Sequence, residues 1–189
     1  MRTVVASVED PHPVPSPLGH ALGGVICAVL LGGGPPSVPR RPFGQWLRHP
    51  VVVASLAAVV PDLDFLWGRH NMETHSLGAA VAAGLAVLAV SRGRRRRLAL
   101  IVTAAWASHV LFDWLGSDDT PPLGVMALWP LSSAFYFANA FVFEAISRRY
   151  WLAGFWAHNL RAVLSEVLML APLAIAVVAW RSRSRSPSI

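Results

Sequence analysis

An all-α, polytopic membrane bundle of about five spans, with one interfacial or re-entrant segment, is the fold class that the sequence predicts. Three observations carry it. Hydrophobic residues make up 54% of the 189 and charged residues only 14%, where a soluble domain has roughly a quarter charged. Mean hydropathy is +0.50. The apolar runs 50–67, 98–116 and 163–180 approach the ~20 residues that a tilted span needs. Runs 20–33 and 76–91 are shorter, and would cross by local bilayer thinning or by packing inside the bundle. A very apolar soluble helical bundle is the alternative, and the lengths of the three longer runs disfavour it.

Residues 1–17, with four prolines, read as a flexible arm. They lack the basic stretch followed at once by an apolar one that marks a cleavable signal peptide. The first helix opens near His20 and stops at the glycine and proline cluster Gly32 to Pro36. Residues 37–49 form a basic loop. The second helix starts near Val51 and meets Pro61-Asp62-Leu63-Asp64 close to its end. There the proline frees a carbonyl and bends the chain, and an extended turn would let both acids face one site. Gly68 to Glu73 is a connector, and Thr74 is the predicted N-cap of a third helix beginning at His75.

The fourth helix runs from Leu98 to Leu115, and Gly116 to Pro122 is a polar loop. Residues 123–150 are interrupted by Pro130 and dense in aromatic residues, which suits an interfacial or re-entrant segment that makes no net crossing. The last helix runs from Leu160 to Trp180, and residues 182–189 are a basic Arg-Ser tail. Residues 18–181 form a single membrane-embedded domain.

The net charge of +6 comes with sixteen basic residues, every one of them arginine. Eleven fall in three stretches: Arg40, Arg41 and Arg48; Arg92 and Arg94 to Arg97; Arg181, Arg183 and Arg185. Short basic loops at span ends are the positive-inside signature and attract anionic lipid headgroups. The Arg94–Arg97 run therefore reads as a solvated cytoplasmic loop, and no nucleic-acid partner is expected. With these loops cytoplasmic, the first four helices run in, out, in, out. The lone Cys27 permits no internal disulfide.

This orientation brings a set of ionisable residues to one level near the outer face. His20 opens the first run, Asp62 and Asp64 close the second, His75 opens the third, and His109 and Asp113 close the fourth. Ionisable groups inside spans are costly and mark function. His109 and Asp113 stand at i and i+4 on one helix face, where they can grip one ion together or brace two helices by a hydrogen bond. One of the two acids near Pro61 can ligate while the other orients a histidine. His70 is a further candidate, open to being an exposed loop histidine. Three or more histidines with several carboxylates suit zinc, or else manganese or iron, rather than calcium.

The sequence resembles the bacterial membrane-bound metal-dependent hydrolase family typified by YdjM. The matching pieces are Gly19-His20, Pro61-Asp62-Leu63-Asp64, His70 to Ser76, Ser108-His109 with Asp113 and Gly116, and Gly124 through Leu128-Trp129-Pro130. The family's His-Arg-Gly-x-Thr-His-Ser reads His70-Asn71-Met72-Glu73-Thr74-His75-Ser76 here, without the arginine and glycine. Arg69 is the cation available in its place. The order His, Asp, His, His-x-x-x-Asp is also similar to the zinc-dependent phospholipase C and single-strand nuclease superfamily. That likeness implies a multi-zinc phosphodiesterase site with His20, Asp62, His75, His109 and Asp113 as ligands, Asp113 bridging two ions. Its late His-x-x-x-Glu pair is not reproduced, because His158 and Glu166 stand eight apart.

Together these readings predict an inner-membrane hydrolase that cleaves a phosphoester of a lipid or lipid-linked compound with a metal-activated water. The metal candidates are His20, Asp62, Asp64, His70, His75, His109 and Asp113. Asp64 or Glu166 is the candidate base, Glu166 being alternatively a further ligand, and Arg69 is the candidate to hold the anion. A non-catalytic membrane metal-binding or transport protein is the alternative.

Overall fold

The computed structural model of the chain describes residues 15–32, 48–68, 70–116, 122–147 and 150–184. Among them are five α-helices and one 3-10 helix, with two isolated β-bridges and no sheet. Most of the predicted basic loop, Arg69, Arg148, Arg149, most of the predicted polar loop, most of the N-terminal arm and most of the tail lie outside the described residues.

Helix α1 covers Pro17–Leu30, with Ser16 as its N-cap and proline at its first position. Both choices suit a helix start: the serine hydroxyl accepts from the Gly19 N–H at 3.1 Å, and proline lacks only an N–H that would go unused there. Helix α2 covers Pro50–Ala57. It passes into a 3-10 helix, Val60–Trp67, closed by Gly68 at φ 70°. The bend expected at Pro61 is thus a tightening of the helix rather than an extended turn. Helix α3 covers Leu77–Val90, α4 Arg96–Leu115 and α5 Phe155–Arg183. The start of α3 differs from expectation: its N-cap is Ser76, whose hydroxyl accepts from the Ala79 N–H at 3.0 Å. Thr74 is drawn away because its hydroxyl donates to Asp64.

Three stretches are long and apolar enough to cross a membrane, Pro50–Trp67, Arg96–Leu115 and Phe155–Arg183; α1 and α3 are shorter apolar helices of 14 residues. Helices α1, α2 and α4 pack together, α3 lies on α4, and α5 lies on α1. Their shared core is built largely from small and branched residues, including Ala28, Val29, Ala54, Ala58, Ile101, Val102 and Ala105. In lipid, helix association depends on close van der Waals packing, so small residues at the contacts matter. Gly24 shows why: a Cβ there would stand 2.5 Å from the Ala54 carbonyl oxygen.

Residues 122–147 form no helix. They are stitched to the bundle by backbone hydrogen bonds: Met126 N–H to Asn71 O, Leu77 N–H to Ala127 O, Ala138 N–H to Trp114 O and Val142 N–H to Leu115 O. At the far end, Asn159 clasps the backbone of Ser147 through both amide atoms, at 2.7 and 2.8 Å. These tie the segment to the ends of α3, α4 and α5 that carry or adjoin His75, Asp113 and Glu166. Backbone of this kind survives near lipid only when its polar groups are satisfied within the protein.

Replacing Gly24 by valine must part α1 from α2. We expect Gly24→Val to destabilise the bundle by about 1–3 kcal/mol, the usual cost of overpacking. A lowered thermal unfolding midpoint in detergent checks this, and an unchanged midpoint would disprove the close contact.

Candidate metal centre

Four segments deliver the polar residues to one buried place. His20 lies one turn into α1, Asp62 and Asp64 lie on the 3-10 helix, His75 immediately precedes the cap of α3, and His109 and Asp113 lie one turn apart near the end of α4. His20, His75 and His109 are fully buried, and Asp62, Asp64 and Asp113 are 6%, 1% and 5% exposed. The 3-10 winding explains how both acids turn inward. Residues two apart diverge by about 160° on an α-helix but by only about 120° on a 3-10 helix.

Asp113 sits at the middle of the group. Its Oδ1 is 3.3 Å from His20 Nε2, and its Oδ2 is 3.0 Å from His109 Nε2 and 3.4 Å from His75 Nε2. Asp62 Oδ1 lies 3.7 Å from His75 Nε2 and 3.8 Å from His109 Nε2. The His20 and His109 rings stack with centroids 3.9 Å apart.

Two of the histidines have their other ring nitrogen engaged. His109 Nδ1 is 2.8 Å from the Ala58 carbonyl oxygen, which can only accept, so the proton is on Nδ1 and the Nε2 lone pair faces the carboxylates. His75 Nδ1 lies 3.0 Å from Asp64 Oδ2, leaving its Nε2 toward Asp62 and Asp113. The inward atoms have no hydrogen-bond partner: His20 Nε2, His75 Nε2, His109 Nε2, Asp62 Oδ1 and both Asp113 oxygens. A buried polar atom left unsatisfied costs about 1–3 kcal/mol, and carboxylates brought close together repel. A cation bound among them would satisfy them together.

The donor atoms form groups whose members all lie within 4.8 Å of one another: His20, His109 and Asp113; Asp62, His75 and His109; and Asp64, His70 and His75. These clusters could bind a metal, and the first two share His109. The third is of a different kind. Asp64 accepts from the Thr74 hydroxyl and faces His70 Nδ1 at 2.7 Å and His75 Nδ1 at 3.0 Å. Thr74 in turn is fixed by the Trp106 indole, which donates to its carbonyl oxygen at 2.8 Å.

Among the remaining sequence candidates, Glu166 is fully buried but belongs to none of these groups. Its carboxylate accepts from the Ser16 backbone N–H at 2.7 Å and from the Ser16 hydroxyl. Arg69 is outside the described residues. His158 lies away from the cluster, 3.4 Å from Glu144. Sequence reasoning missed Trp106, the Ala58 carbonyl and Ser16. Ser16-Pro17 carried a readable cap signal, but its partner lies 150 residues away. The other two carried none.

His75 lies in the connector before α3. Burial pushes its imidazolium down, but the Asp62 and Asp64 carboxylates, with Asp113, outweigh this and raise its pKa to about 9.

The sequence model of the YdjM inner membrane protein family matches residues 16–184, so the chain belongs to that family. No curated protein and no solved structure matches it.

Two outcomes are expected of metal binding by the detergent-purified chain. His109→Ala and Asp113→Ala should each strip most of the bound metal, read by elemental analysis, and undiminished metal in both would exclude this centre. Below about pH 9 the His75 proton competes with a cation. Affinity should therefore fall about tenfold per pH unit for that one displaced proton, read by titration across pH 6 to 9; a flat profile would remove His75 from the ligand set.

Proposed function

We propose that this YdjM-family protein is a membrane-bound metal-dependent hydrolase acting on a phosphoester of a lipid or lipid-linked compound. The observation that carries this reading is the convergence of unpartnered buried nitrogens and oxygens from His20, Asp62, His75, His109 and Asp113. Three imidazoles and two carboxylates suit zinc, with manganese or iron as the other fits. Bound there, such an ion supplies a Lewis acid for a phosphoryl oxygen and a water that ionises near neutral pH.

The chain's own groups divide the remaining work. His20, His75, His109, Asp62 and Asp113 hold the ion or ions, with Asp113 presenting one oxygen toward each of the two groups that share His109. Asp64 has its oxygens turned to His70, Thr74 and His75. It fixes the His75 tautomer, with Nε2 inward, as outer carboxylates do for metal-bound histidines.

The lipid part of the reading rests on the 3-10 helix. Its acids are buried, while Leu63, Phe65, Leu66 and Trp67 on the same two turns are exposed, Leu66 by 69% and Trp67 by 59%. The ligand-bearing segment therefore turns an apolar and aromatic side outward, as interfacial segments do. Arginines gather at the opposite ends of the helices: Arg97 donates to Leu31 O at 2.8 Å and Arg181 to Leu30 O, both at the C-terminus of α1. By the positive-inside rule that end is cytoplasmic and the centre lies near the outer face. A transport path needs polar groups through the depth of the bilayer, whereas α3 is wholly apolar or glycine from Leu77 to Val90.

Metal-loaded protein in mixed micelles should release phosphate or headgroup from a panel of phospholipids and isoprenoid phosphates, and the His109→Ala variant should not. No release from any member of the panel would leave a metal-binding protein without catalysis. Trp67→Ser should raise KM several-fold for long-chain substrate. It should leave turnover of a short-chain soluble analogue unchanged, and equal effects on both would remove the lipid-facing role of the 3-10 helix.

A further inference from the structure

We propose that Glu166 is a positioning residue for His20: its carboxylate clamps the first turn of α1 through Ser16 and so fixes the direction of that imidazole. The inference rests on the metal-centre reading and concerns a buried acid that this reading leaves without a task.

The need for a clamp follows from comparing the three inward histidines. His75 is set by Asp64 and His109 by the Ala58 carbonyl. His20 has neither ring nitrogen hydrogen-bonded. Its ring stacks on His109 at 3.9 Å and on Phe112 at 6.1 Å between centroids. Its one polar neighbour, Asp113 Oδ1 at 3.3 Å, belongs to the centre itself, so no group outside the centre fixes its direction. The backbone beneath it must therefore supply the missing constraint.

Glu166 supplies it from α5. One carboxylate oxygen accepts the Ser16 N–H at 2.7 Å and the other accepts the Ser16 hydroxyl. The same hydroxyl accepts from the Gly19 N–H at 3.1 Å, and the Ser16 carbonyl accepts the His20 N–H at 3.1 Å. The turn from Ser16 to His20 is thus closed on itself and tied to a second helix. Gly19 makes room for the clamp, since a Cβ there would lie 2.6 Å from Glu166 Oε2. Both carboxylate oxygens being committed to Ser16, Glu166 acts on the centre through the backbone of His20.

Cobalt titration of the purified full chain, followed by visible absorption and elemental analysis, tests this. Glu166→Ala should weaken cobalt binding about 10- to 100-fold, the usual effect of losing an outer partner. Glu166→Gln, which keeps an acceptor for the Ser16 N–H, should stay within a few-fold of wild type with an unchanged spectrum. Adding Glu166→Ala to His20→Ala should cost nothing further, because the clamp acts only through that ring. Ser16→Ala should show a smaller loss in the same direction, which keeps the test open should Glu166→Ala not fold. Unchanged affinity in both Glu166→Ala and Ser16→Ala overturns the proposal. So does additivity with His20→Ala, or a Glu166→Gln as weak as alanine with an altered spectrum, which would make Glu166 itself a ligand. Wild-type protein that takes up no cobalt, zinc, manganese or iron overturns the metal centre and the clamp together.

Discussion

The constraint on which the rest of this structure depends is the cost of gathering carboxylates and imidazoles without hydrogen-bond partners in an apolar interior. His20, His75, His109, Asp62 and Asp113 bring buried atoms without hydrogen-bond partners close together. A cation bound there would complete such a cluster, and the surrounding chain must hold it rigidly. Much of the fold follows from that second requirement. The 3-10 winding of Val60–Trp67 turns two acids inward, the Ala58 carbonyl fixes one ring, and the strap of residues 122–147 secures the helix ends that carry the others.

Most of the frame was legible in the sequence because lipid imposes a simple rule. Runs of apolar residues had to be helices, and their lengths separated the long spans from the short ones. The placement of His20, Asp62, His75, His109 and Asp113 at alternating run ends was equally readable, since antiparallel connection carries alternating ends to one side. Local capping was less so. Thr74 and Ser76 are both plausible caps by type, and only the nearby Asp64 carboxylate, a tertiary partner, decides between them.

What could not be read is what depends on backbone atoms and distant pairs. A carbonyl such as that of Ala58 has no signature in an alanine. Glu166 announced itself as an acid within an apolar run but not its partner, because the Ser16 contact joins α1 to α5 across most of the chain. The non-helical character of 122–147 was visible in its proline and aromatic content. Its attachments were not, being almost all main-chain hydrogen bonds.

The 3-10 helix has one more consequence, a matter of reach. Eighteen α-helical residues rise about 27 Å, somewhat short of the ~30 Å hydrocarbon layer. Winding Val60–Trp67 at about 2.0 Å per residue instead of 1.5 adds roughly 4 Å, so Pro50–Trp67 matches that thickness without an added residue. The tightened turn that aims the two acids also lengthens the segment carrying them.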